Sequence, residues 1–237
     1  IIAIPLAMAF AIASGVKPEY GIYTACIAGI LISVFGGSKY QIGGPTGAFV
    51  PVLLAVVMTY GYEDLLIAGL LAGIMLCLMG IFKLGALIKF IPRPVTVGFT
   101  AGIAVIIFTG QIANFLGITD IEKHVSFIDN IKEIGNHMHT TSIYSVLTAI
   151  ICLVVILVTP KIFPKVPGSI VGLIVSTIIA IIFFTDDIAT IGTAFGDIPS
   201  QLPGFHFPDL TWERIQRLLI PAFTIAACME TISNKAN

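Results

Sequence analysis

Gln41-Ile42-Gly43-Gly44-Pro45-Thr46-Gly47-Ala48-Phe49 is the stretch on which the reading of this 237-residue chain turns. Residues 40–44 are too short and too glycine-rich for a helix, yet helix-compatible sequence resumes at Pro45 and runs to about Tyr60. Proline suits a first helical turn, where its missing N–H would have no partner in any case. The spacing therefore predicts extended chain followed by a helix that starts at Pro45. On both sides lie apolar blocks long enough to cross a hydrocarbon core of about 30 Å, which takes roughly 20 helical residues. Extended backbone at that depth must be buried in protein or line a polar cavity, because each unsatisfied N–H or C=O costs several kcal/mol in lipid.

Composition points the same way. Hydrophobic residues make up 57% and charged residues 11% of the chain, with a mean hydropathy of +1.04. Soluble domains run at about 45 to 50% apolar and about 25% charged. The net charge of -1 and the lack of any basic run argue against a nucleic-acid partner. Cys26, Cys77, Cys152 and Cys228 sit in separate apolar segments without a CxxC and read as small buried apolar side chains. The chain opens at Ile1 without a Met or basic leader and stops inside an apolar block, so it reads as a fragment cut within helices.

Membrane helices are expected over residues 1–14, 19–35, 45–60, 64–82, 94–117, 142–158 and 168–184, with a final one starting near Leu218. The polar stretches 119–141 and 185–217 are the long pieces outside the membrane. With the first helix entering from the cytoplasm, Lys39, Lys83, Lys89, Arg93, Lys161 and Lys165 fall inside. Lys17, Lys123, Lys132, Arg214 and Arg217 then fall outside, with every carboxylate except Glu230.

Two features carry chemistry. A helix starting at Pro45 aims the free N–H groups of Thr46, Gly47 and Ala48 into the cavity, backed by the positive end of the helix dipole, and such a site favours an anion. Discontinuous helices near the bilayer midplane recur as substrate sites in secondary transporters. Glu230 stands twelve residues into the last span, and an ionisable group inside a membrane marks a functional site for a proton or Na+. Phe10 lies among Ala7, Ala9, Ala11 and Ala13, small residues that let another helix come close. The pairs Gly69/Gly73 and Gly98/Gly102 have the spacing of helix contacts, and His137 and His139 read as solvated loop residues. Neither HExxH nor GxSxG occurs, so no enzyme chemistry, metal or cofactor is expected. Ile4-Pro5-Leu6-Ala7 is echoed weakly by Ile220-Pro221-Ala222-Phe223, as a seven-helix repeat would require.

Over essentially its whole length the chain resembles the SulP (sulfate permease) anion transporters. The resemblance rests on Pro5-Leu6-Ala7-Met8-Ala9-Phe10-Ala11, on Pro18-Glu19-Tyr20-Gly21-Ile22-Tyr23-Thr24-Ala25 with Phe35-Gly36-Gly37-Ser38-Lys39, and on the stretch from Gln41 to Phe49. Pro92-Arg93-Pro94-Val95, Gly98-Phe99-Thr100, Gln111, Gly196-Asp197-Ile198-Pro199 and Leu202-Pro203 add to it.

The resemblance implies an all-α polytopic fold of two inverted seven-helix repeats, as in uracil permeases, of which this chain holds the first seven helices and the start of the eighth. Residues 1–82 would be core helices one to four, 83–217 gate helices five to seven with extracellular linkers, and 218–237 the start of core helix eight. The second half and the STAS domain usual in the family would be absent. An anion is implied between the N-termini of the third and tenth half-helices, with Phe10 facing it and Thr46, Gly47 and Ala48 donating to it. Glu230 matches the family's acidic residue on helix eight, linked to proton coupling as Glu and to Na+ as Asp. The sequence departs from the family at Asn234-Lys235-Ala236-Asn237, where small apolar residues and an Asp are usual.

The expectation is therefore a multi-pass protein of the cell membrane, embedded in the lipid bilayer and dimeric at full length. Its expected activity is secondary active transport of an inorganic or small organic anion: sulfate first, bicarbonate or a dicarboxylate next, driven by a proton or Na+. The rival readings are an uncoupled anion channel, a nucleobase permease of the same fold and an inert truncated fragment.

Overall fold

The computed structural model describes residues 3–36, 44, 46–82, 92–119, 121–184, 188, 190–196 and 208–233, apart from the side chains of Arg93, Thr96 and residues 230–233. The described residues form helices and no strand. They are α1 (Ala3–Ala13), α2 (Pro18–Phe35), a 3-10 turn (Gly47–Phe49) leading into α3 (Val50–Tyr60), α4 (Tyr62–Ile81), α5 (Arg93–Leu116), α6 (Phe127–Asn136), α7 (Ile143–Ile162), α8 (Gly168–Phe183), α9 (Ile191–Phe195) and α10 (Trp212–Ser233).

Four stretches are long and apolar enough to cross a membrane: Pro18–Phe35, Tyr62–Ile81, Val97–Leu116 and Ile143–Ile162. Shorter apolar helices cover Ala3–Ala13, Gly47–Tyr60 and Gly168–Phe183. Large apolar side chains such as Phe35, Phe108, Phe183 and Ile220 are exposed. In water that surface would be untenable, whereas lipid is as apolar as the side chains themselves.

Where helices meet, small residues make the contact. In the α1–α2 hairpin, a Cβ on Gly21 would collide with the carbonyl oxygen of Ala7 and stand 2.9 Å from the Ala11 methyl. Ala7 and Ala11 are both buried there, so the alanine stripe is a helix seam as its composition predicts. α3 turns into α4 through Gly61 alone, whose φ of +89° favours glycine. α4 then carries Glu63 and Asp64 in its first turn, where carboxylates suit the helix dipole.

α10 packs along α4 and also touches α3. Its Ala222, Ile225 and Ala226 join Val56, Ala68 and Ala72 in the buried cluster, flanked by Phe49, Val52, Leu53 and Tyr60.

The α7–α8 hairpin shows how a proline and a glycine act together. Pro160 inside α7 has no N–H to offer Ile156, its partner one turn back. Gly168 of α8 sits over that carbonyl, where a Cβ would stand 2.7 Å from the Ile156 oxygen. One turn on, a Cβ at Gly172 would lie 2.5 Å from Cγ1 of Ile156 and 3.3 Å from the Cys152 oxygen. Gly172→Val is expected to cost about 1 to 3 kcal/mol by overpacking. Thermal unfolding in detergent should show the loss, and Ile156→Ala should recover part of it.

Several expectations need correction. Gly69, Gly73, Gly98 and Gly102 have nothing within 4 Å of an added Cβ, so they make no helix contact among the described residues. Cys26 and Cys77 are exposed and Cys152 and Cys228 only half-buried, so the thiols face outward more than their apolar context predicts. The last helix starts at Trp212, six residues before the expected Leu218, because its charged outer turns find partners on α4. The polar stretch 119–141 is not all loop, since it contains α6.

Candidate functional site

The broken helix enters differently from the sequence expectation. Residues 41–43 and Pro45 lie outside the described residues. Thr46 is extended (φ -126°, ψ 133°) and exposed, with no side-chain cap bond, and the chain then enters α3 through the 3-10 turn. The α-helix proper starts at Val50, so the proline in its first turn is Pro51 rather than Pro45. Val50 N–H donates to the Gly47 carbonyl, closing the 3-10 turn onto the start of α3.

Phe10 comes from α1 to meet this turn. A Cβ on Gly47 would stand 3.2 Å from Phe10 Cε1, 3.3 Å from Phe10 Cζ and 3.3 Å from Ile107 Cδ1. Gly47 is thus wedged between an aromatic wall on α1 and the tip of an isoleucine on α5. Of the four sequence-predicted residues in this region, Phe10 and Gly47 are in contact, Ala48 is half-buried beside them in the turn, and Thr46 precedes it. Ile107 was missed, because nothing in an apolar span sets it apart from its neighbours; only the fold brings it here.

Glu230 lies in α10, and its side chain is outside the described residues. The placement of that helix is informative, because α10 returns to α3 and α4 rather than to α7 and α8.

The ends of the helices gather charge. Arg217 Nη2 donates to Asp64 Oδ2, Arg214 Nε lies 3.6 Å from Asp64 Oδ1, and Arg214 Nη1 lies 3.6 Å from Glu63. The Arg217 guanidinium also sits 5.5 Å from the Tyr60 ring centroid. Lys123, from the chain after α5, donates through Nζ to the Ile12 carbonyl at the end of α1. Burial lowers the Lys123 pKa below its ordinary value. His124 is held next to it by Asn130, whose side chain accepts from His124 N–H at 2.9 Å and donates to His124 O at 2.6 Å. His137 Nδ1 is 3.3 Å from Glu133, and His124 Nε2 is 3.9 Å from its other oxygen. His137 therefore has a carboxylate partner, unlike the solvated loop residue expected. Lys123, Arg214 and Arg217, all on the outer side by loop charge, contact helix ends assigned to that side.

Apolar spans and small-residue seams make this a multi-pass membrane protein. The sequence pattern of the Sulfate permease family matches residues 1–234, and the chain belongs to that family.

The chain is 59% identical over 226 residues to a Bacillus subtilis (strain 168) protein named "Putative sulfate transporter YvdB", covering 95% of this chain and 43% of YvdB. It is 31% identical over 153 residues to the "Sodium-independent sulfate anion transporter" of Bos taurus, covering 63% of this chain and 24% of that one. Among solved structures it matches the transmembrane domain of a cyanobacterial bicarbonate transporter, BicA, with a TM-score of 0.81 and 30% identity. That match covers 95% of this chain and 58% of the BicA chain, and it assigns the uracil-permease-like fold. The chain thus spans less than half the length of YvdB.

Proposed function

We propose that this chain contributes one half of the binding site of a coupled anion carrier, with sulfate as its first substrate and bicarbonate or a dicarboxylate as alternatives. The observation that carries the reading is the start of α3, where an extended Thr46 and a 3-10 turn present Gly47 and Ala48 beside Phe10. Backbone donors at a helix start bind an oxyanion without a fixed positive side chain. A tetrahedral dianion and a planar monoanion can both use such donors, so the substrate follows from the shape of the facing wall.

The division of labour is part of the same proposal. Residues 1–82 and 218–237 form the core and 83–217 the gate, and the packing of α10 on α3 and α4 supports that grouping. The Ile107 contact with Gly47 is then a point where gate meets core. A second, inverted seven-helix repeat would supply the opposing jaw, and a homodimer would be the assembled form. Glu230 is the coupling residue, taking a proton.

The test is uptake into liposomes containing the complete polypeptide that carries these residues, with sulfate, bicarbonate, succinate and uracil as substrates. One coupled proton in a gradient of one pH unit is worth about 1.4 kcal/mol, or about tenfold accumulation. Sulfate should accumulate to that extent, and Glu230→Gln should abolish the response to the gradient. Gradient-independent flux in both proteins would mean an uncoupled channel, preferential uracil uptake would mean a nucleobase permease, and no flux at all would overturn the carrier reading.

A further inference from the structure

The outer end of α10 carries two arginines one turn apart, and both converge on the single carboxylate of Asp64 at the start of α4. Asp64 is 3% exposed, although it is a charged residue at a helix end. Next to Asp64 and Arg217 the larger Ile67 and Leu218 are fully buried, and further along α4 and α10 the buried residues Ala68, Ala72, Ala222 and Ala226 carry only methyls. Methyl-sized ridges let two helices approach closely but offer shallow resistance to sliding along their axes. A directional guanidinium–carboxylate pair resists such sliding strongly, because its geometry tolerates little displacement.

Two further observations bear on this anchor. Pro221 stands four residues beyond Arg217 and cannot donate to the Arg217 carbonyl, so α10 is weakened directly below its anchored turn. Tyr60, at the end of α3, is the cation–π partner of Arg217, which ties the same arginine to a second core helix.

The counts along the two helices then coincide. α3 and α10 run antiparallel, and thirteen residues separate Tyr60 from Gly47 just as thirteen separate Arg217 from Glu230. At about 1.5 Å per residue each interval is about 20 Å, so by this count the backbone of Glu230 comes to the depth of the turn at Gly47. The shared burial of Val56 and Ala222, which fall in the same register, agrees.

We propose that Arg217, clamped between Asp64 and Tyr60, is a positioning residue that fixes the axial register of α10 and so sets the depth of Glu230 against the start of α3. The coupling consequence rests on the reading of Glu230 given above; the register itself does not.

Spin labels at Met58 on α3 and Met229 on α10, both exposed, report the register directly in the complete polypeptide. Arg217→Leu should change the mean distance between them, by up to about 5 Å if the helix slips one turn. The same variant should lose the roughly tenfold proton-driven accumulation of anion. Arg217→Lys, which keeps a cation against Asp64 but loses the planar fork, should fold and shift the distance and the accumulation only part of the way, separating register from a general failure to fold. An unchanged distance in Arg217→Leu overturns the proposal, whatever happens to uptake. A changed distance together with proton coupling that survives Glu230→Gln leaves the register role standing and overturns the reading of Glu230.

Discussion

Gly47→Val is expected to abolish anion uptake while leaving the protein folded in the membrane. Even the first added carbon would lie 3.2 Å from Phe10 and 3.3 Å from Ile107, tighter than ordinary van der Waals contact. Both neighbours are the ends of side chains, so a single methyl can be accommodated by shifts of a few tenths of an ångström. The two methyls of valine have no such room. Overpacking costs about 1 to 3 kcal/mol, and at about 1.4 kcal/mol per tenfold the upper figure is a loss of roughly a hundredfold. Gly47→Ala should therefore fall between the wild type and Gly47→Val in sulfate uptake. Ile107→Ala removes one of the two obstacles, so the pair Gly47→Ala/Ile107→Ala should transport better than Gly47→Ala alone. That coupling between neighbours is what a double-mutant cycle measures. If the two changes simply add, the gate does not touch the jaw at this point.

How far the sequence revealed this arrangement depended on the kind of signal. The spans were legible because length and hydropathy are local properties; α2, α4, α5 and α8 lie within two residues of their expected limits. The stretch from Gly43 to Thr46 reads as a helix break, since glycine and proline punctuate any helix, and Gly43 and Pro45 lie outside the described residues. The start of α3 was misplaced, because Pro45 and Pro51 both satisfy the same rule and only the fold shows that the helix uses Pro51. The packing glycines went wrong for a different reason. The small-xxx-small spacing shows that a face is smooth, and it does not show that a partner is there. Among the described residues Gly69 and Gly73 present that face to open space, whereas Gly168 and Gly172, at the same spacing, carry close contacts with α7. The outer turns of α10 carry Arg214 and Arg217 and fall in the polar stretch 185–217, which the sequence places outside the membrane. Asp64, 153 residues before Arg217, is their partner, and no local window contains that pairing.

That pairing leads to the second large effect. Truncating Arg214 and Arg217 together is expected to destabilise the protein more than truncating Asp64, although either change dismantles the same cluster. The difference lies in what is left behind. The Asp64 side chain is 4% exposed, against 34% for Arg214 and 55% for Arg217. Among the described residues its Oδ1 already lacks a hydrogen-bond partner, and Arg214 is held there only by charge. Without both arginines a buried carboxylate stands unpaired, which costs about 3 to 5 kcal/mol. Without Asp64 the arginines can extend their guanidinium groups into water, and the loss falls to about 1 kcal/mol. At about 2 to 4 °C per kcal/mol for a chain of this size, the arginine double variant should unfold roughly 10 °C below the wild type in detergent. Replacing the ion pair by two leucines should recover most of that, as buried pairs exchanged for apolar residues often do. The leucine pair then separates two roles that single truncations confuse. It restores cohesion between α4 and α10 without a directional bond, so the melting temperature should return while the distance from α3 to the inner end of α10 stays shifted.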